Sequence, residues 1–466
     1  MKLRLLVAIL AGKIAFWLSR SRGNKGTSLP GLVARKIYPG SLLDLASQVR
    51  KKIIIISGTN GKTTTSNMVA KMLSDAGYNI IVNREGANMI SGVTTSFIMN
   101  AGVNGKIDCD FAILEVDEAS IPAVVAEVTP GVVALTNFFR DQLDRYWELD
   151  KIIGIIRDSL TVLKRTTLIL NADDPLVAQF RKTTGLTSFF YGVGRHEVSA
   201  RTSSQAREAK FCPFCGAPLS YDYFHYGQLG NYNCTGCGFE RPLPRIEALE
   251  PATTAGGTEC SLYYNERKVS LAIRAQGLYN LYNALAALLV CLHLGLDIRT
   301  LLDSLYKYNP VAGRMERFNY YGKPAFLSLV KNPAGFNEGI AALHAVKGTI
   351  DIFIAINDNE ADGRDISWLW DVDFESLDQN TRSFLSFVCS GRRGEEMALR
   401  LKYAGIPVER IIIKRNIKSA IKKTLAGQAG SAYLFSTYTA LWPVHKIVEQ
   451  LAAKEVADDQ CVSSIS

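Results

Sequence analysis

Residues 53–65 read IIIISGTNGKTTT, an apolar β-type run that breaks into two glycines, a lysine and a row of threonines. Gly58 and Gly61 allow backbone N–H groups to turn toward phosphate oxygens. Lys62 is placed to reach the β- and γ-phosphates, and the Thr63 hydroxyl is placed to hold Mg²⁺. A tight turn without ligand is the alternative, but lysine followed by hydroxyls serves no packing purpose. The stretch therefore predicts a nucleoside triphosphate site.

This loop departs from the commonest phosphate-binding pattern, G-x-x-x-x-G-K-[ST], because Ile56 stands where that pattern has its first glycine. The match is to a shorter G-x-x-G-K-T-T loop, which narrows the set of phosphate-binding families to which the chain can belong. The candidate nucleotide-binding residues are those of the loop and the start of the helix that follows: Gly58, Thr59, Asn60, Gly61, Lys62, Thr63 and Thr64.

Apolar strand-like runs alternate with helical stretches through the first part of the chain: IIIISG, YNIIVNR, FAILEVDE, GVVALTN and TTLILNADDP. This order predicts an α/β fold with a doubly wound, mainly parallel sheet, in which ligands bind at the carboxyl ends of strands. Polar residues follow three of the runs: Glu115, Asp117, Glu118, Thr136, Asn137, Asn171, Asp173 and Asp174. Each alone fits a capping or turn role, and together they predict one polar rim.

The net charge of +9 is concentrated at one end of the chain. Residues 1–52 hold eleven Lys and Arg and a single acid, Asp44, so the remaining residues sum to −1. A nucleic-acid groove needs clustered positive charge on the folded body. We therefore expect no nucleic-acid partner.

The leading segment KLRLLVAILAGKIAFWLSRSR mixes cations with large apolar residues, and we assign residues 1–40 to a basic amphipathic segment. Its uncharged run from Leu5 to Gly12 is far shorter than the about 20 residues that span a bilayer. It also lacks a convincing signal-peptide cleavage site. We expect a cytoplasmic protein whose first segment packs on the neighbouring domain, contacts an anionic membrane surface, or does both.

Four of the nine cysteines form two C-x-x-C pairs separated by 18 residues: Cys212, Cys215, Cys234 and Cys237. Four thiolates at about 2.3 Å suit tetrahedral Zn²⁺, and Gly216 and Gly238 allow the turn after each pair. The pattern predicts a structural zinc ribbon, with redox or disulfide use as the alternative. The other five cysteines are scattered, and we expect them to be unpaired: Cys109, Cys260, Cys291, Cys389 and Cys461.

These patterns divide the chain into a central nucleotide-binding domain, residues 41–312, and a smaller C-terminal α/β domain, residues 313–460. The ribbon, residues 205–245, interrupts the central domain, and we expect irregular short strands after it up to Arg274. The stretch QGLYNLYNALAALLVCLHLG predicts a helix, and NPVAGRMERF predicts a linker between the domains.

Several motifs in a fixed order resemble the Mur ligase superfamily of ATP-dependent amide-bond formers: GTNGKTTT, LEVDE, TNFFRDQLDRY, LNADDP, GLYNLYNALAA and GRMERF. The four-cysteine ribbon, LVKNPAGFNE and NDNEADGRDISWLWDVDFE are similar to the MurT family within it, the ligase subunits of lipid II isoglutaminyl synthase. The resemblance covers nearly the whole chain. It implies a Mur-ligase-like central P-loop domain with an inserted ribbon and a smaller C-terminal domain.

The resemblance also implies a reaction. ATP phosphorylates the α-carboxylate of D-glutamate in the peptidoglycan stem peptide of lipid II or its soluble precursor, and ammonia converts the acyl phosphate to D-isoglutamine. Catalysis of this kind depends on positioning and charge neutralisation, which assigns a central role to Lys62. By the same resemblance, Glu115 holds Mg²⁺, Asn280 contacts adenine, and Arg314 reaches the nucleotide phosphates.

Two residues depart from the amino-acid-adding Mur ligases. Gln142 stands in Asp141-Gln142-Leu143-Asp144, and Lys331 precedes Asn332-Pro333, where those ligases often have histidine. Both changes fit a second substrate that is not an amino acid.

Free ammonia is scarce at neutral pH, and none of the five scattered cysteines lies in a glycine-flanked nucleophile elbow. We therefore expect a separate glutaminase, and the resemblance implies a GatD-type subunit in a heterodimer. In that family an aspartate of the ligase subunit completes the Cys–His pair of the partner. The acidic loop after IFIAIND offers Asp365, ranked first, and then Asp358 and Asp362.

Two other functions stay open on the sequence. A folylpolyglutamate-type ligase that adds an amino acid predicts turnover without any partner. A zinc-ribbon nucleic-acid binder predicts salt-sensitive binding of DNA or RNA, against which the near-neutral charge of residues 53–466 counts.

Overall fold

A computed structural model gives the structure of the chain. It describes all residues except 1–2, 23–25, 84–85, 141–148, 198, 200, 202–206, 255–256, 310–312, 345, 347, 381–382 and 463–466, and except the side chains of residues 254, 314, 379–380 and 452–462.

Nine strands of the described chain form one large sheet, in the order β11-β10-β9-β6-β5-β4-β1-β3-β2. The strands are β1 Lys52–Ser57, β2 Ile80–Val82, β3 Phe111–Glu115, β4 Val132–Leu135, β5 Thr167–Asn171, β6 Ser188–Val193, β9 Ile246–Thr254, β10 Gly257–Tyr264 and β11 Arg267–Ile273. Neighbours from β2 to β9 run parallel, and β9, β10 and β11 are antiparallel. The predicted α/β fold with a mainly parallel sheet is confirmed.

Helices cover both faces of this sheet. They are α1 Leu3–Ser21, α2 Leu29–Ile37, α3 Ser41–Ala46, α4 Lys62–Asp75, α5 Ile90–Asn100, α6 Ile121–Val125, α7 Leu149–Thr161, α8 Pro175–Ala178, α9 Phe180–Thr184, α10 Leu278–His293 and α11 Ile298–Tyr306. Side chains alternate along β1, so Ile53 and Ile55 pack with α1, α3 and α5, whereas Ile54 and Ile56 pack with α4 and α10. This double burial explains why the strand has no polar residue between Lys52 and Ser57.

The four-cysteine segment contains the antiparallel hairpin β7 Ser220–Tyr226 and β8 Leu229–Asn233. It packs on the central domain, because Leu219 and Tyr232 join the same buried cluster as Leu168 and Phe180. The stretch after it differs from the expected irregular short strands. It forms β9, β10 and β11, which extend the large sheet.

A second sheet has the order β12-β13-β17-β14-β15-β16. Its strands are β12 Arg314–Tyr320, β13 Lys323–Leu329, β14 Ile350–Ala355, β15 Phe384–Ser390, β16 Ile411–Ile413 and β17 Ser431–Ser436. The helices beside it are α12 Pro333–His344, α13 Gly394–Tyr403, α14 Ile417–Leu425 and α15 Tyr438–Val462. The predicted C-terminal α/β unit is confirmed, although β12 begins inside the stretch expected to be a linker.

The amino-terminal helix α1 packs one face on the central domain, where Leu5, Ala8 and Ile9 join its core. Lys13 reaches across and donates to the carbonyl of Ala101, at the end of α5. Core packing, one of the two alternatives for this segment, is therefore present. Among the described helices, none is both long enough and apolar enough to cross a membrane.

Candidate active site

The loop of residues 58–61 connects β1 to α4 at the carboxyl edge of the large sheet. Gly58 and Gly61 have φ of 121° and 88°, where L-residues are strained. A Cβ on Gly58 would lie 2.4 Å from Thr136 Oγ1, and a Cβ on Gly61 would lie 2.0 Å from Asn283 Oδ1. Both glycines are thus required by conformation and by space, as a phosphate-binding loop predicts.

Residues that follow β4 fix this loop. Asn60 N–H donates to Asn137 Oδ1 at 2.9 Å, and its carbonyl accepts from Thr136 Oγ1 at 2.7 Å. The Thr59 hydroxyl exchanges hydrogen bonds with the backbone of Phe139, both at 3.1 Å. The polar side chains predicted at the end of this strand therefore hold the loop in shape.

Lys62 lies at the start of α4 and is nearly buried, with 9% of its surface exposed. Its Nζ donates to the Gly58 carbonyl at 2.6 Å and to Glu118 Oε2 at 3.0 Å. Burial on its own lowers the pKa of Lys62, but the nearby carboxylates, that of Glu118 first, outweigh burial and raise its pKa. The ammonium is therefore held charged beside the loop.

Three carboxylates surround this ammonium. Glu115 ends β3 and is 6% exposed, and its backbone N–H and C=O are both bonded to the side-chain amide of Asn83, at 2.8 and 2.7 Å. Asp117 and Glu118 follow in a short 3₁₀ turn. Carboxylate and hydroxyl oxygens are ligands that Mg²⁺ accepts, so Glu115, Glu118 and Thr63 fit that ion chemically. The sequence missed Asn83, which lies 32 residues from its partner.

The C-terminal domain reaches the same loop. Lys331 Nζ donates to the Thr59 carbonyl at 3.2 Å, and Asn332 Nδ2 donates to Asn60 Oδ1 at 3.1 Å. Asn332 also caps α12, because its Oδ1 accepts from the Gly335 N–H at 2.8 Å. The sequence singled out Lys331 only as a departure and Asn332 only as part of the pattern that follows it, and the structure brings both to the loop of residues 58–61.

Helix α10 passes behind the loop. Asn280 is fully buried, and its Nδ2 donates to the Gln276 carbonyl at 2.8 Å, while its Oδ1 has no partner within the described chain. A buried acceptor of this kind fits an amino donor such as that of adenine. One turn later, Asn283 Oδ1 accepts from the Thr65 hydroxyl of α4 at 3.5 Å. The side chain of Arg314 lies outside the described residues, as does the whole of residues 141–144.

The prediction that the aspartates after β5 line the polar rim is wrong. Asp173 is fully buried and accepts from Arg241 Nε at 2.5 Å and from the Tyr282 hydroxyl at 2.6 Å. Asp174 caps α8 through the Leu176 N–H at 2.9 Å, and burial raises the pKa of Asp174 to about 7. These side chains hold the fold together and do not line the site.

The four ribbon cysteines meet in space. Their sulfur atoms all lie within 4.8 Å of one another, and the pairs Cys212–Cys237 and Cys215–Cys234 are each 3.5 Å apart. Gly216 and Gly238 have φ of 74° and 70°. Four sulfurs about 2.3 Å from a central ion would stand at such separations, so the cluster fits tetrahedral Zn²⁺.

The three candidate aspartates after β14 differ in their surroundings. Asp358 is ion-paired with Arg393 at 2.7 Å and with Arg392 at 3.1 Å. Asp362 is buried, and its carboxylate accepts from the N–H of Thr439 at 2.7 Å. Asp365 is half-exposed and accepts from the N–H and the hydroxyl of Ser367, both at 2.8 Å. Asp362 therefore has a structural role, and Asp365 is more accessible than Asp362.

Comparisons with known proteins agree with this geometry. The family model described as Mur ligase middle domain matches residues 56–291, and the model described as MurT ligase C-terminal matches residues 329–441. The lipid II isoglutaminyl synthase (glutamine-hydrolyzing) subunit MurT of Staphylococcus aureus strain COL is 40% identical over 449 residues, covering 96% of this chain and 98% of that protein. This chain belongs to the MurT family.

A second MurT relative, from Streptococcus pneumoniae strain ATCC BAA-255 / R6, is 31% identical over 463 residues, covering 98% of this chain and all of that protein (100%). Among solved structures, a pseudomurein peptide ligase type C from Methanothermus fervidus has a TM-score of 0.66, with 24% identity over 87% of this chain and 80% of that one. MurF from Acinetobacter baumannii has a TM-score of 0.64, with 15% identity over 91% of this chain and 80% of that one. These structures show the Mur ligase fold.

The two segments of the chain that these family models match come together at the loop of residues 58–61. The Mur ligase model contains the loop, Glu115 and Asn280, and the MurT model begins just before Lys331 and contains the aspartate-rich segment. The part of the chain that the MurT model matches thus contacts the loop of residues 58–61 directly, through Lys331 and Asn332.

Proposed function

We propose that this chain is the ATP-dependent ligase subunit of a lipid II isoglutaminyl synthase, which amidates the α-carboxylate of D-glutamate in the stem peptide. The proposal is supported by membership of the MurT family and by one observation above all. Lys62, three carboxylates and the amino end of α12 converge on a single loop. That arrangement suits a phosphoryl transfer in which positioning and charge neutralisation do most of the catalysis.

In the proposed reaction a substrate carboxylate oxygen attacks the γ-phosphorus of ATP, ADP leaves, and an acyl phosphate forms. Ammonia then attacks the acyl carbon, loses a proton, and phosphate leaves. Lys62 exchanges its Glu118 partner for the β- and γ-phosphates, and Asn280 accepts from the adenine amino group. Arg314 is assigned to the phosphates by resemblance alone. Mg²⁺, when bound, neutralises phosphate charge, and Glu115 and Thr63 are assigned to hold it.

The ammonia is proposed to come from a separate GatD-type glutaminase. The four described cysteines outside the ribbon are buried, and burial raises the pKa of Cys109 to about 11 and those of Cys260 and Cys389 to about 12. Such thiols are poor nucleophiles at neutral pH. We propose that Asp365 orients the histidine of the partner, with Asp358 as second choice, because Asp362 is already committed to Thr439.

The ribbon is proposed to hold one structural Zn²⁺ through its four thiolates, which leave no open coordination position. We further propose that the enzyme acts in the cytoplasm on lipid II or its soluble precursor. Its amino-terminal segment is proposed to contact the anionic inner face of the membrane.

The test is co-purification of this chain with a GatD-type glutaminase, followed by amidation assays with two nitrogen sources. Asp365→Asn should stop glutamine hydrolysis, while amidation driven by high ammonium at raised pH survives because the ATP site is intact. Lys62→Ala should lose amidation from either source. Asp378→Asn, a change at an exposed aspartate of the same domain, is the control and should leave both activities unchanged.

Two results would contradict the proposal. If substitution of Asp365, Asp358 and Asp362 in turn leaves glutamine hydrolysis intact, the partner must supply its own acid. If the chain alone amidates its substrate equally well with glutamine, no glutaminase subunit is needed.

A further inference from the structure

The helix α1 has two apolar faces, and only one of them is covered. At 100° per residue, its buried side chains centre on one side of the helix, opposite a stripe about 100° wide. The stripe consists of large apolar side chains that are 46–75% exposed: Leu3, Val7, Leu10, Ile14, Trp17 and Leu18. Trp17, the largest of these side chains, is 71% exposed.

The next two helices carry four more exposed large apolar side chains: Leu29, Leu32, Ile37 and Leu43. Ten of the twenty-five large apolar side chains that are exposed in the described chain therefore fall within residues 3–43. We call these ten the amino-terminal apolar face. Single exposed apolar residues are normal on a protein surface, but such a concentration marks an interaction site.

Cations flank the stripe on both sides. On the helical projection the exposed Arg4 lies beyond one edge of the stripe, and the exposed Arg20 lies beyond the other. Arg22 follows at the end of the helix and is exposed. The first acid of the sequence is Asp44. Long cationic side chains beside an apolar stripe are suited to a lipid surface, because the stems lie along the acyl boundary while the charges meet anionic headgroups.

The amino-terminal apolar face is connected through packed helices to the residues around Lys62. Gly31 of α2 packs so closely on α5 that a Cβ there would lie 1.9 Å from the Ser91 carbonyl. Just before α5, the Asn88 carbonyl accepts from the N–H of Asp117, next to the carboxylates that surround Lys62. Three helices thus connect the exposed stripe to the mouth of the site.

We propose that the amino-terminal apolar face is an interfacial membrane anchor: α1 lies in the plane of an anionic phospholipid surface with its stripe in the acyl boundary. The positions of the cations favour lipid over a second copy of the chain or a protein partner. The orientation of the site toward a lipid-linked substrate rests on the proposed function, whereas the binding of lipid does not.

The experiment uses the complete two-subunit enzyme and vesicles of equimolar phosphatidylglycerol and phosphatidylcholine in flotation assays. The enzyme should float with these vesicles and not with pure phosphatidylcholine. The double variant Ile14→Glu, Trp17→Glu should lower the bound fraction at least about tenfold. Arg20→Gln should weaken binding by about fivefold.

The matched control makes the same change at two exposed apolar residues elsewhere, Val162→Glu with Leu243→Glu, which are 71% and 90% exposed. It should float like the wild type. Equal loss in the control would mean that net charge alone governs binding, and it would overturn the proposal. Absence of flotation by the wild type, or a dimer that Ile14→Glu, Trp17→Glu dissociates, would overturn it too.

Amidation of the soluble precursor in the same preparations separates this inference from the proposed function. A wild type that amidates this substrate but does not float refutes only the anchor. A wild type that floats but does not amidate refutes only the proposed reaction. The Ile14→Glu, Trp17→Glu variant should retain activity on the soluble precursor, because both side chains point away from the core.

Discussion

Lys62→Ala should abolish ATP-dependent amidation and also destabilise the nucleotide-free protein. The second effect follows from the pairing of Lys62 Nζ with Glu118 Oε2 at 3.0 Å, in a site where both side chains are about nine-tenths buried. Without the lysine, Glu118 loses its hydrogen-bonded cation and stays beside Glu115 and Asp117. The loop also loses the bond from Nζ to the Gly58 carbonyl.

The two effects have different sizes. Loss of a charge contact made in the transition state typically costs about 2.7–4 kcal/mol, on the order of 10²–10³-fold in kcat. Loss of a hydrogen bond between charged groups that leaves one partner buried costs about 1.5–3 kcal/mol of stability. The melting temperature of the central domain should then fall by about 3–6 °C, because 1 kcal/mol shifts it by about 2 °C in a domain of this size.

Amidation with ammonium gives kcat, and thermal unfolding without nucleotide gives stability. Glu118→Gln in the Lys62→Ala background should restore part of the lost stability and none of the activity, because it removes the uncompensated charge but returns no contact to phosphate. Lys71→Ala is the control, since Lys71 lies on the same helix and pairs with Asp75 at the surface at 2.7 Å. That exposed pair contributes about 0.3–0.5 kcal/mol.

Retained amidation by Lys62→Ala would refute the assignment of the loop to phosphate binding. Lost activity with an unchanged melting temperature would refute the ion pair with Glu118 as a feature of the nucleotide-free protein. A double variant no more stable than Lys62→Ala would do the same.

Three further predictions concern the ribbon, Asn332 and Glu338 of α12. Cys234→Ser should remove the metal detected by mass spectrometry and weaken ATP binding in calorimetry, whereas Cys260→Ser, at another buried cysteine, should do neither. Asn332→Ala should lose about 1 kcal/mol of stability and also lower kcat, whereas Asn416→Ala, which removes the matching cap of α14 far from the loop, should lose only the stability. Burial raises the pKa of Glu338 to about 8. The stability that this raised pKa contributes is therefore fully present below about pH 4 and is lost as the pH rises through about 8. Glu338→Gln should therefore gain thermal stability over the wild type progressively from pH 5 to 9, and no gain at pH 9 would contradict the prediction.

The sequence was most informative where the chemistry is local. The loop from Gly58 to Thr64 and the two C-x-x-C pairs are contiguous or nearly so, and their residue types admit few other uses. The alternation of apolar runs likewise predicts the order of β1 to β5, because buried parallel strands must be apolar on both faces. These elements agree with the structure.

Long-range partners were beyond this kind of reasoning. Asn83 holds Glu115 from 32 residues away, and Glu118 reaches Lys62 from 56 residues away, so no spacing rule connects them. Asp174 was assigned to the rim although a local signal was present. Aspartate followed by Pro175 is typical of a helix N-cap with proline in the first turn, which is the role it has.

The nucleotide loop is the point at which separate parts of the fold meet, and this explains why damage to the ribbon should reach the ATP site. The hairpin of the ribbon presents Tyr226, whose ring stacks on Phe139 with centroids 6.0 Å apart. The backbone of Phe139 holds the Thr59 hydroxyl, and Lys331 holds the Thr59 carbonyl from the opposite domain. These outside contacts give the loop its shape and should keep its N–H groups aimed at the proposed phosphate. We therefore expect that loss of the proposed metal would loosen the hairpin, weaken its contact with Phe139 and so weaken the hold of Phe139 on Thr59.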